Sequence, residues 1–242
     1  NEDVEMIPKV IHYCWFGNKP LPKEVKKCIE SWKKYAPDYK IIQWNESNFN
    51  VHQHPFMDAA YKANAWAFVS DYARLKIIFD NGGIYFDTDV ELLKKPDFLL
   101  NNSFYIGVQQ AGKFGTTGLG FGAERKNEVV KQMLEKYDQL TFSDDNKAKL
   151  ACPYLNMAVL ENLGYRYQED VWCQDGMTIY PCRFFDPIAP GNVENLMCDD
   201  TVSIHHYSAS WSGMGNRIKR KIFRIIGEER IHKIKMVVKN GN

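Results

Sequence analysis

The residues best able to do chemistry fall in two neighbouring runs, Ser70-Asp71-Tyr72-Ala73-Arg74 and, beyond a Gly82-Gly83 pair, Ile84-Tyr85-Phe86-Asp87-Thr88-Asp89. Asp87 and Asp89 flank a single residue. On a strand that spacing aims both carboxylates the same way, which suits a hard divalent cation such as magnesium or manganese and leaves coordination positions for phosphate oxygens. Asp71 and Arg74, three apart on a helix, share one face, and a Gly-Gly turn folds the next strand back beside it. The guanidinium then reaches the acid pair or a phosphate bound there. Two acids at a buried strand end are costly unless such a cation stands nearby. Near the end of the chain, His205-His206-Tyr207-Ser208-Ala209-Ser210-Trp211 gathers further polar and aromatic groups. On a strand the two histidines point to opposite sides, so at most one of them is a metal ligand. Taken alone, Asp-x-Asp also describes a solvated turn, and the Asp71/Arg74 spacing an ordinary helix ion pair worth roughly a few tenths of a kcal/mol.

These groups need elements to position them. Residues 9–16 are β-rich and end at Gly17-Asn18, which predicts a buried strand. Pro22 suits a first helical turn, and Val25, Cys28, Ile29, Trp32 and Tyr35 follow at helical spacing until Pro37. A short strand at 40–44 completes a strand–helix–strand opening, the start of a parallel α/β sheet. Residues 56–81 carry the strongest helical pattern, apolar around much of the circumference, and Gly82-Gly83 supplies the backbone freedom its end requires. The stretch from Gly112 to Gly122 reads as a mobile lid, an acceptor loop or a plain hairpin between two strands. Helices follow near 127–137 and 156–163, then short strands around Trp172, Ile179-Tyr180 and 202–204.

At 242 residues, 45% apolar and 25% charged, the chain fits one globular domain and excludes collagen-like, coiled-coil and disordered classes. No apolar run approaches the roughly 20 residues that span a bilayer, and no secretory signal is visible. Met6 reads as a natural start. The six cysteines, Cys14, Cys28, Cys152, Cys173, Cys182 and Cys198, form no C-x-x-C pair, which favours reduced thiols and a cytoplasmic setting. Charge is uneven. From Arg217 onward nine Lys/Arg stand against two Asp/Glu, whereas the remainder carries 22 against 28. Isoleucines alternate with these basic residues, so 217–242 predicts amphipathic helices that either lie on an anionic membrane surface or pack on the domain.

Together Ile7-Pro8-Lys9-Val10-Ile11-His12 with Trp15, the 70–89 stretch, and His205-His206 with Ser210-Trp211 resemble glycosyltransferase family 32. This DXD group is related to yeast outer-chain mannosyltransferases and, more distantly, to the glucosyltransferase domains of large clostridial toxins. The resemblance runs from Ile7 to about Trp211. It implies a GT-A fold, a Rossmann-like mixed α/β sheet with flanking helices. It also implies a nucleotide-diphosphate sugar donor, a divalent cation (Mn2+ or Mg2+) and transfer with retention. Trp15 resembles the aromatic that stacks on the donor base, near Val10 and His12. Ser70, Asp71 and Arg74 resemble the donor-holding helix segment, Tyr85 and Asp87 the ribose, sugar and metal contacts, and Asp89 the principal metal ligand. His206 matches the late metal position, and Ser210 with Trp211 the pair closing over the diphosphate. His12 itself reads more simply as a core histidine, and Cys152-Pro153 stands where relatives often carry Gly-Pro.

The expectation is thus a single catalytic domain over 1–216 with a basic tail over 217–242. It moves a hexose or N-acetylhexosamine from a UDP-sugar to a glycan or lipid-linked glycan of a bacterial surface polysaccharide, in the cytoplasm or peripherally on the inner membrane face, without nucleic acid. Two alternatives remain: a haloacid-dehalogenase-like phosphatase using Asp87 and Asp89, with Asp199-Asp200 as a downstream acidic pair, and a non-catalytic nucleotide-sugar-binding module.

Overall fold

The computed structural model describes residues 6–143, 150–190 and 194–208. Ser210, Trp211, the 217–242 tail and the segment before Met6 lie outside those residues, together with the expectations attached to them.

The opening follows the sequence pattern. Strand β1 (Val10–Cys14) is β-branched and aromatic, helix α1 (Lys23–Tyr35) buries Val25, Cys28, Ile29 and Trp32 along one stripe, and β2 (Lys40–Trp44) pairs parallel with β1. Pro22 caps α1 with extended backbone instead of entering its first turn. The single helix expected over 56–81 is two helices, α2 (Pro55–Lys62) and α3 (Trp66–Asn81). The chain breaks at Asn64, whose φ of 53° is a left-handed conformation that asparagine tolerates better than most residues. His54 caps α2 by accepting the Phe56 N–H on its ring nitrogen, with Pro55 in the first turn.

Gly82 and Gly83 turn α3 into the next strand at φ of 68° and 109°. A β-carbon at Gly83 would stand 2.8 Å from the Val10 carbonyl oxygen and 2.9 Å from His12 Nε2, so the close approach of helix end to β1 itself demands glycine. The remaining elements are β3 (Gly83–Tyr85), β4 (Val90–Leu92), β5 (Phe104–Gly107), β6 (Phe121–Ala123), α4 (Glu128–Asp138), α5 (Cys152–Asn162), β7 (Trp172–Gln174), β8 (Met177–Tyr180) and β9 (Ser203–His205). Helix α5 begins four residues earlier than its pattern suggested, because Pro153 sits in its first turn, where a missing N–H costs nothing.

Seven strands form one mixed sheet in the order β2-β1-β3-β6-β5-β8-β7, and β4 pairs antiparallel with β9 in a small second sheet. β1, β2 and β3 are parallel, while β6 runs antiparallel to β3 and β5. Period-two alternation distributes the strand side chains to two cores. Ile11, Tyr13, Ile84 and Phe86 pack with Trp32 of α1 on one side, whereas Cys14, Tyr85 and Phe121 join α2, α3, α4 and α5 on the other. Among the described residues no helix is long and apolar enough to cross a membrane. All six cysteines carry free thiols.

Candidate active site

The alternation that buries Tyr85 on the α3 side carries Asp87, two residues later, to the same side. There the Tyr85 hydroxyl donates to Asp87 Oδ1 at 3.2 Å. One turn apart on α3, Asp71 and Arg74 face it. Arg74 Nη2 lies 3.0 Å from Asp71 Oδ1 and 3.1 Å from Asp87 Oδ1, its Nε donates to the Ser70 carbonyl, and its guanidinium stands over the Tyr85 ring. The arginine is 4% exposed. Burial works against its charge, but Asp87, Tyr85 and Asp71 outweigh it and hold the group cationic well above its ordinary range. Burial pushes the Asp71 carboxyl up to about 6 despite the pull of Arg74, and raises Asp87 likewise.

Asp87 and Asp89 occupy the turn after β3, not the strand itself, and Val90 N–H closes that turn onto the Asp87 carbonyl. They still converge. One ligand atom each from Asp87, Asp89 and His205 lie within 4.8 Å of one another. His205 supplies the imidazole where His206 was expected. β9 pairs with β4 so that Val90 stands opposite His205, which places that ring beside the carboxylate preceding Val90. His205 Nε2 is 2.9 Å from Asp89 Oδ1, while the His206 ring turns to Glu91 and its backbone N–H donates to the Asp89 carbonyl.

Burial alone would raise the Asp89 carboxyl, but His205 and the Ser208 backbone N–H, 2.8 Å from Oδ2, overcome it and hold the group at about 2. Burial in turn disfavours the His205 imidazolium, and Asp89 more than restores it, so that ring titrates above its ordinary value. A cavity of about 470 Å³ opens beside Asp89, lined by Glu24 and Lys27 of α1 and by Glu91, His206 and Ser208. Its volume is that of a small-ligand pocket.

The glycine-rich stretch joins the antiparallel strands β5 and β6; its tip at Ala111 and Gly112 is exposed, whereas residues 115–120 are buried. Thr117 Oγ1 lies 3.4 Å from Arg74 Nη1 and from Asn156 Nδ2, and 3.8 Å from Cys152 Sγ. A β-carbon at Gly118 would stand 2.6 Å from Asp87 Oδ2 and 3.2 Å from Arg74 Nη1. Thr117, Gly118 and Ser208 were missed by sequence reasoning, for their roles arise from contacts across the fold.

Strand register separates the other expected donor contacts. His12 lies level with Tyr85, which carries Trp15 to the carboxyl end of β1 shared with the 87–89 turn and leaves Val10 further back. Trp15 is half-buried there, its indole donating to the Lys19 carbonyl. His12 is a core histidine: its ring nitrogens meet the Gly82 carbonyl and the Trp44 indole, and its carbonyl accepts from Phe86 N–H. Burial, with Lys40 nearby, lowers it to about 4 against the opposing pull of the Gly82 carbonyl.

Residues 22–105 match the family described as a glycosyltransferase sugar-binding region containing a DXD motif. An uncharacterized glycosyltransferase of Acanthamoeba polyphaga mimivirus is 25% identical over 86% of this chain and 84% of its own length. Inositol phosphoceramide mannosyltransferase 1 of Schizosaccharomyces pombe is 30% identical over 54% of this chain, a match that spans 43% of the yeast protein. Among solved structures, the PaToxG glycosyltransferase superposes with a TM-score of 0.52 at 21% identity, covering 65% of this chain and 69% of that one.

Proposed function

We propose that the chain is a glycosyltransferase of the kind that carries a DXD sugar-binding region on a GT-A fold, and that it moves a hexose or N-acetylhexosamine from a nucleoside-diphosphate sugar to a glycan or glycolipid, with retention at the anomeric carbon. The observation that carries this reading is the convergence of Asp87, Asp89 and His205 beside the buried Arg74. Two carboxylate oxygens and one imidazole nitrogen are a donor set that fits magnesium or manganese. Bound there, such a cation supplies charge neutralisation for a departing diphosphate.

The chain's own residues do the rest. Arg74, fixed by Asp71 and Asp87 before any ligand arrives, presents positive charge to the phosphate side without reorganising. Asp71 accepts from donor-sugar hydroxyls, Tyr85 supports the guanidinium, and Trp15 offers its ring to the base. Residues 1–216 form the catalytic unit in this reading, and the basic charge of 217–242 suits an anionic membrane surface where a lipid-linked acceptor resides. UDP-sugars lead the candidate donors. GDP-mannose joins them because the yeast relative is named a mannosyltransferase, and its inositol phosphoceramide acceptor supports a lipid-linked one here. The bacterial surface polysaccharide rests on the sequence reading alone.

The test is a panel of UDP-sugars and GDP-mannose with manganese, read as release of UDP or GDP. One donor is turned over only with metal, and Asp89→Asn is inactive. Hydrolysis of a simple aryl phosphate with no turnover of any sugar nucleotide contradicts the reading and favours the phosphatase.

A further inference from the structure

His205 Nδ1 is buried and, among the described residues, has no hydrogen-bond partner. The Nε2 atom of the same ring faces Asp89. For Nε2 to ligate a cation it must present a lone pair, so the ring proton belongs on Nδ1, and a buried N–H needs an acceptor.

Asp186 has the matching deficit. It is fully buried, its Oδ2 accepts from Gln110 N–H and from the Tyr207 hydroxyl, both at 2.8 Å, and its Oδ1 is buried without a partner among the described residues. Tyr207 links the two groups. At a φ of 50° it lays its ring 4.1 Å from the His205 ring, centroid to centroid, while its hydroxyl holds Asp186. The Gln110 side chain ties the same segment down through the Asp186 and Glu194 carbonyls.

We propose that Asp186 is the positioning residue for His205: the two unpartnered atoms do not bond in this structure, and when a cation takes Nε2 the Asp186 Oδ1 accepts the Nδ1 proton. The proposal rests on the reading that Asp87, Asp89 and His205 hold a metal. Asp186→Asn tests it with little change of shape. Two donors already point at Oδ2, so the amide oxygen stays there and the NH2 replaces Oδ1, favouring the tautomer with its proton on Nε2, which does not ligate.

Manganese binding to the full chain, followed by electron paramagnetic resonance without any sugar nucleotide, gives the readout. Expected is a 10- to 100-fold weaker affinity in Asp186→Asn, roughly the loss typical when a ligand's supporting partner is removed. The melting temperature stays near wild type, and 15N spectra of the magnesium-loaded protein show the His205 proton moved from Nδ1 to Nε2. Wild-type affinity in that variant overturns the proposal. Where Asp186→Asn fails to fold, Tyr207→Phe decides: a several-fold loss supports the proposal, and no loss overturns it. If Asp89→Asn binds manganese as wild type does, the metal reading itself fails and the proposal falls with it. Asp89 mattering while Asp186 does not removes the proposal alone.

Discussion

On the α3 side of the 87–89 turn, a buried arginine is clasped by two carboxylates at 3.0 and 3.1 Å. On the β9 side, Asp89 meets a histidine and a backbone N–H instead. The first arrangement holds a permanent cation, since Arg74 stays charged under all ordinary conditions. In the proposed function the second is the exchangeable one, with His205 giving up Asp89 for a cation. In that reading one side supplies fixed charge and the other admits a ligand.

Breaking the fixed side has the largest effect. Arg74→Met leaves Asp71 and Asp87 buried without their counter-charge, which costs about 3–5 kcal/mol. Chemical denaturation measures that loss, and turnover is abolished.

The scaffold beneath that side is sensitive to acid. His12 is held near 4 in the folded protein against 6.5 for the ordinary group, so the unfolded chain takes up the proton first as pH falls. Its contribution is complete above pH 6.5 and is lost as pH drops towards 4, amounting to about 3 kcal/mol. Denaturation midpoints across that window show a steeper decline in wild type than in His12→Gln.

Gly118→Ala probes the contrast between the two sides more finely, by pushing a methyl group against Asp87 and Arg74 without touching Asp89. Overpacking of this kind costs about 1–3 kcal/mol. Turnover falls more than manganese affinity does. Smallest of all, His206→Gln alters stability by under about 1 kcal/mol, as its ring pairs with the half-exposed Glu91 at the surface. Manganese affinity is retained there but lost in His205→Ala.

The two sides also differ in how far the sequence reveals them. Asp71, Arg74, Gly82, Gly83 and Asp87 lie within 17 residues, and helix spacing, glycine conformation and strand alternation are local rules that place them. The 56–81 pattern still conceals a break, because Asn64 interrupts the helix without disturbing its apolar periodicity. The second side joins residues more than a hundred positions apart. Choosing between His205 and His206 requires the pairing of β9 with β4, which no local pattern encodes. Gly118 and Asp186 are hidden for the same reason: each acts on a side chain that only the folded topology brings to it.

Above all, the 87–89 turn and His205 are expected to make a metal-dependent site for a nucleoside diphosphate. Isothermal titration of UDP and GDP, each with and without manganese, into wild type and Asp89→Asn decides whether they do. One nucleotide binds wild type only when manganese is present, and Asp89→Asn loses this binding while remaining folded. Equal binding without manganese, or undiminished binding in Asp89→Asn, contradicts a metal-held diphosphate at this turn.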